Sequence, residues 1–121
     1  MGLKHPTVKS FKYAFEGLKT AVKREPNFRI HIAIAVIVLI TAFILKLTLL
    51  EWILLAFTIF YVITLELLNT ALEAYVNLVS PQFHPEAKIA KDVSAAMVLV
   101  AACASVIVGL ILFVPKILAL L

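Results

Sequence analysis

Charge is scarce in this 121-residue chain: Asp, Glu, Lys and Arg together make up 15% of it. Glycine is scarce too, with 3, and there is 1 cysteine, while hydrophobic residues reach 64%. A soluble domain of this length leaves too much of its surface in water to hide that much apolar area, so lipid is the natural solvent. The lone Cys103 excludes an intrachain disulfide, and its apolar neighbours predict an inert, buried thiol. The three histidines show no zinc-type spacing. His31 and His84 read as structural or interfacial residues. Walker loop, glycine-rich kinase loop and dinucleotide fingerprint are all absent, so no standard motif betrays a nucleotide site. No cleavable leader is expected, because the first 29 residues are polar and amphipathic.

What is present is ordered along the chain. Seven of the 11 basic residues (Lys4, Lys9, Lys12, Lys19, Lys23, Arg24 and Arg29) fall in the first 29 positions. Their place just ahead of an apolar stretch reads as the cytoplasmic flank of a membrane protein, and no nucleic-acid partner is expected. Over residues 8–24, Val8, Phe11, Phe15, Leu18 and Val22 recur at helical spacing, with lysines on the neighbouring arc. That pattern predicts an amphipathic helix lying in the headgroup layer. Pro26 then imposes a bend.

Three apolar stretches follow, at 30–49, 52–79 and 93–114, each long enough to span a bilayer core of ~20 helical residues. Glu51 and Trp52 mark a short loop and an interfacial anchor, Ser80-Pro81 ends the second span, and residues 80–91 form the next connection. The second stretch would be about 42 Å long as a helix, so part of it must leave the hydrocarbon. With Lys88 and Lys91, nine basic residues lie on the N-terminal side against Lys46 and Lys116 on the other. This places the N-terminus and the 80–91 connection in the cytoplasm. The expected fold is an all-α, multi-pass protein of a bacterial inner membrane: one surface helix and three transmembrane helices in a single domain, 1–121. Ala101, Ser105 and Gly109 form a small-residue stripe suited to close helix contact.

The second span is not a plain anchor. Glu66, Asn69, Thr70, Glu73 and Asn77 fall within an arc of about 100° on a helix. Carboxylates at membrane depth are expensive and mark a functional site by default. Glu25, Lys91 and Asp92 belong to the same side of the membrane. Carboxylates suit Mg²⁺ bound to phosphate oxygens, and a lysine nearby suits a transferring phosphate. Residue chemistry alone leaves three readings open: catalysis, a small oligomeric ion or proton pathway, and helix assembly.

The run Glu66-Leu-Leu-Asn69-Thr70-Ala-Leu-Glu73-Ala-Tyr-Val-Asn77, then His84-Pro85-Glu-Ala-Lys88-Ile-Ala-Lys91-Asp92-Val-Ser-Ala-Ala, resembles the signature of the prokaryotic diacylglycerol kinase family. Glu25-Pro-Asn-Phe28-Arg29-Ile-His31 is similar to the family's segment before its first span, and with the His84-Pro85 loop it looks closer to the undecaprenol kinase branch. The resemblance covers nearly the whole chain. It implies a homotrimer with active sites between subunits, moving the γ-phosphate of ATP, with Mg²⁺, to a lipid alcohol. Undecaprenol is the favoured acceptor and diacylglycerol the alternative. It further implies Glu66 as general base and Glu25 and Glu73 as metal-holding carboxylates beside ATP. Asn69, Lys91 and Asp92 would lie near the phosphates, and Tyr13 with Gln82, Phe83 and His84 near the nucleotide. Lys4 and Lys9 are candidates for an N-terminal basic contact to ATP. The family usually carries aspartate where this chain has Asn77, which keeps the hydrogen bonding and loses the charge.

Overall fold

The computed structural model describes residues 6–121, which form four helices and no strand. They are α1 (Thr7–Arg24), α2 (Pro26–Ile44), α3 (Leu49–Val79) and α4 (Pro85–Leu118). The last three are long and apolar enough to cross a membrane. Lys4 lies outside the described residues.

Each joint has a local cause. Glu25 closes α1 and opens α2: its extended backbone donates to Ala21 O, and Pro26 takes the first turn of α2, where the missing N–H costs nothing. Arg29 reaches back to the exposed end of α1, donating from its guanidinium to Val22 O at 2.7 Å and Lys23 O at 3.2 Å. These carbonyls would otherwise lack partners at the negative end of the helix dipole. Phe28 is buried at the corner, as is Ala21 on α1, and α1 rests against α2 and α3.

At the far end, α2 stops in a Schellman turn. Lys46 N–H donates to Phe43 O and Leu47 N–H to Ala42 O, with Lys46 in the left-handed region at φ 54°. That turn drives Leu47 inward beside Ala42, Leu55 and Leu112, the buried apolar cluster that joins α2, α3 and α4 at this end. Trp52 packs against this cluster. Glu51, placed in a loop on sequence grounds, belongs to the first turn of α3. There it forms a capping box with Thr48 and pairs with Lys116 of α4 at 3.1 Å.

Two further differences have physical reasons. The connection between α3 and α4 is shorter than 80–91, because His84 caps α4, accepting from Glu86 N–H through Nδ1, and Pro85 starts the helix. Cys103, expected to be buried, is exposed on α4. An apolar run in a three-helix membrane chain turns much of its surface towards lipid or other chains, and a small thiol sits there as readily as an alanine. The helices are packed mainly through α3 and α4. Of the small-residue stripe, Ala101 is buried, whereas a Cβ placed on Gly109 would meet no atom within 4 Å. Ala101 is thus packed within the bundle, while Gly109 leaves room beside it.

Candidate active site

The end of the bundle formed by the α1–α2 corner, the second half of α3 and the start of α4 carries the buried polar groups. Glu66, Asn69 and Ser94 are the buried polar residues of the described chain, at 2%, 9% and 4% exposure. All three lie at this end. Burying a carboxylate in a bundle this small is costly unless a partner is supplied, so the partners define the site.

Glu66 is met by a residue that sequence reasoning placed among structural histidines. His31, one and a half turns into α2, sets its Nε2 3.1 Å from Glu66 Oε1. Glu25 and Glu73 lie within Coulombic range of the same carboxylate. The Glu66 carboxylate thus has one imidazole beside it and two further acidic groups, from the α1–α2 corner and α3, within range of its charge. Glu25 and Glu73 are half-buried and their carboxylates have no hydrogen-bond or ion-pair partner among the described residues.

One turn further along α3, Asn69 Oδ1 accepts a 2.6 Å hydrogen bond from the Ser94 hydroxyl of α4. Ser94 was not singled out from sequence. A serine two residues beyond Asp92 in an apolar helix was the available signal, since an isolated hydroxyl in such a helix asks for a partner. Thr70, part of the polar stripe, spends its hydroxyl on Glu66 O of its own helix at 3.0 Å. Its side chain adds nothing to the cluster beyond that.

The remaining predicted residues are spread over α1, the α3–α4 connection and the start of α4. Lys91 is half-buried on α4 and pairs with no described residue. Its neighbour Asp92 is exposed and bound to Lys88 one turn earlier. Gln82, Phe83 and His84 occupy the short α3–α4 connection, all exposed, with His84 committed to capping α4 and Gln82 O accepting from Ser80 Oγ. Tyr13 is exposed on α1, as are Lys9 on α1 and Asn77 on α3. A single chain therefore assembles Glu25, His31, Glu66, Glu73 and the Asn69–Ser94 pair. Among the described residues Lys91 forms no ion pair with them, and Asp92 pairs with Lys88 instead.

No group of three or more His, Cys, Asp or Glu side chains among the described residues is arranged to cage a metal ion. Glu25 and Glu73 nevertheless suit a Mg²⁺ that arrives with phosphate oxygens, since such an ion takes only one or two protein carboxylates and keeps water on its other positions. Beside the cluster, His31 also lines an apolar cavity of about 220 Å³ between α2, α3 and α4, bordered by Val62, Ile63 and Ser105.

The family model for prokaryotic diacylglycerol kinase matches residues 12–113. Among curated proteins, the undecaprenol kinase of Bacillus subtilis is 44% identical over 108 residues, covering 89% of this chain and 88% of the relative. A diacylglycerol kinase of Synechocystis is 47% identical over 113 residues, covering 93% of this chain and 65% of the relative. The diacylglycerol kinase of Haemophilus influenzae is 38% identical over 110 residues, covering 91% and 90%.

Proposed function

The chain belongs to the prokaryotic diacylglycerol kinase family, and from that footing we propose that it transfers the γ-phosphate of ATP to the hydroxyl of undecaprenol at the inner face of the membrane. It is a multi-pass membrane protein and a lipid kinase. The acceptor, the residue roles, the orientation and the assembly are the proposed part. The observation that carries the reading is the buried Glu66 carboxylate, gathered with Glu25 and Glu73 beside a helix end rich in polar groups.

In this reading Glu66 is the general base. It accepts the proton of the lipid hydroxyl as the hydroxyl oxygen bonds to the γ-phosphorus and the bond to the β,γ-bridging oxygen of ATP breaks, releasing ADP. A carboxylate shielded from water is poised for that task once the hydroxyl lies within hydrogen-bond reach. Glu25 and Glu73 would hold Mg²⁺ against the ATP phosphates, where the ion supplies charge neutralisation. Asn69, held by Ser94, and Lys91 donate to phosphate oxygens, with Asp92 beside them. Lysine suits that role as a compact charge. Tyr13, Gln82, Phe83 and His84 border the nucleotide. Such transfer depends on positioning and electrostatics, and no covalent enzyme intermediate is needed.

Lys91, half-buried and pairing with no described residue, supports assembly. A lysine that pairs with no acid among the described residues fits a site completed by a second subunit, and a homotrimer with shared sites satisfies this. The nine basic residues on the N-terminal side support a cytoplasmic N-terminus, with α1 lying in the headgroup layer. The 44% identity to the undecaprenol kinase, extending over 88% of that relative, supports undecaprenol, and the relatives named diacylglycerol kinase make diacylglycerol the alternative acceptor. Incubating the purified protein in mixed micelles with γ-labelled MgATP and each lipid separates the two. Label in undecaprenyl phosphate supports the favoured acceptor, label in phosphatidic acid supports the alternative, and label in neither lipid sinks both.

A further inference from the structure

We propose that His31 is the positioning residue of the catalytic carboxylate: its imidazole holds Glu66 in the orientation from which the lipid hydroxyl is deprotonated. This rests on the lipid-kinase reading and adds to it a residue for which neither the composition nor the polar stripe of α3 gave any sign.

Glu66 and His31 stand on different helices, with Nε2 and Oε1 3.1 Å apart. The carboxylate is 3% exposed and the imidazole 21%. His31 is the one side chain of the described residues paired with that carboxylate, because Asn69 is engaged by Ser94 and the Thr70 hydroxyl by a backbone carbonyl. Left alone, a glutamate side chain among Glu25 and Glu73 would swing away from its neighbours' charge. A donor fixed on a neighbouring helix removes that freedom, engaging one oxygen and leaving the other for the hydroxyl. Geometry of this kind matters for rate, since a misplacement of about 1 Å in a reacting group costs on the order of 10²-fold.

The second observation concerns the path of the acceptor. The same imidazole lines the apolar cavity between α2, α3 and α4. His31 thus stands between a space suited to hydrocarbon and the carboxylate that must meet a hydroxyl. A histidine serving helix assembly alone has no reason to border both.

The test compares His31→Leu, which keeps the approximate volume and loses the donor, with His31→Gln, which keeps an N–H donor. Both are purified in micelles with the wild type, and kcat and KM for lipid and for ATP are measured on protein of matched helical content and melting temperature. The expected result is a kcat loss of roughly 10- to 100-fold in His31→Leu with KM for ATP unchanged, and substantial recovery in His31→Gln. Adding His31→Leu to Glu66→Gln should cost nothing further, because the histidine acts through the carboxylate.

A folded His31→Leu protein with kcat within twofold of wild type overturns the proposal, and reveals a histidine that serves stability alone. A change confined to KM for ATP overturns it as well. So does a folded His31→Gln protein as slow as His31→Leu, because the N–H donor would then be irrelevant. Wild type inert towards both lipids would remove the lipid-kinase reading and this proposal together, whereas an active wild type with an indifferent His31→Leu removes this proposal alone.

Discussion

The Ser94 hydroxyl of α4 donates a 2.6 Å hydrogen bond to Asn69 Oδ1 of α3, and both residues are buried. The bond ties together the two helices that make the largest interface in the chain, one turn from Glu66. Interhelical hydrogen bonds in membrane proteins contribute about 0.6 kcal/mol on average and at most about 1.7. Ser94→Ala should therefore lower stability by about that amount and loosen the Asn69 amide. The expected outcome is a modest drop in melting temperature with a larger fractional fall in kcat. Ser94→Thr, which keeps the hydroxyl, should recover the stability lost in Ser94→Ala if its added methyl is accommodated.

Two lysines on α4, three residues apart, should differ sharply. Lys88 is bound to Asp92 at the surface, whereas Lys91 is half-buried without a partner among the described residues. Removing a preorganised cation from a transferring phosphoryl group costs on the order of 10²- to 10³-fold in rate. Lys91→Ala should show a loss of that size, and Lys88→Ala only a small one through the release of Asp92. Equal losses in the two variants would contradict the assignment of Lys91 to the phosphates. The same pair separates the kinase from an ion pathway, which would conduct without ATP and keep conducting in Lys91→Ala.

Glu25 stands at the α1–α2 joint and Glu73 on α3, and neither is paired among the described residues. If they hold the metal that accompanies ATP, Glu25→Gln and Glu73→Gln should each shift the Mg²⁺ dependence of transfer to higher concentration by about tenfold or more, given that only one or two carboxylates serve such an ion. A Mg²⁺ titration of the initial rate reads this directly. A lowered maximal rate with an unmoved Mg²⁺ midpoint would place these carboxylates in some other role.

Much of this arrangement was legible in the sequence because a membrane removes alternatives. Long apolar stretches must become helices, and every carboxylate within them stands out against the background. Glu66, Asn69 and Glu73 were visible for that reason. His31 and Ser94 were not, since a histidine near a span end or a serine in a helix is ordinary until its partner is known, and that partner lies on another helix. The length of α4 was under-read because hydropathy marks where lipid begins. The helix itself begins earlier, where His84 and Pro85 cap and start it in polar surroundings. Cys103 was misplaced because an apolar run in a membrane chain does not distinguish a packed face from a lipid-facing one.

At the opposite end of the bundle, Lys46 adopts φ 54° to complete the turn that ends α2. The left-handed region costs a residue with a Cβ roughly 1–2 kcal/mol, and glycine avoids most of this. Lys46→Gly should accordingly raise the melting temperature in micelles, corresponding to a gain of about 1 kcal/mol after the greater flexibility of unfolded glycine is subtracted. Phosphoryl transfer should not change, as Lys46 lies at the far end from Glu66. A lowered melting temperature would show that the lysine side chain, and not its backbone, secures the turn.

If the buried Glu66 carboxylate takes the proton of the lipid hydroxyl, Glu66→Gln must abolish most of the transfer. The substitution keeps size and hydrogen bonding and removes the base. Rates of transfer to undecaprenol should be measured alongside MgATP binding in the same micelles. The expected result is a fall in kcat of roughly 10²- to 10⁴-fold with MgATP still bound. Transfer at an undiminished rate by Glu66→Gln would contradict it.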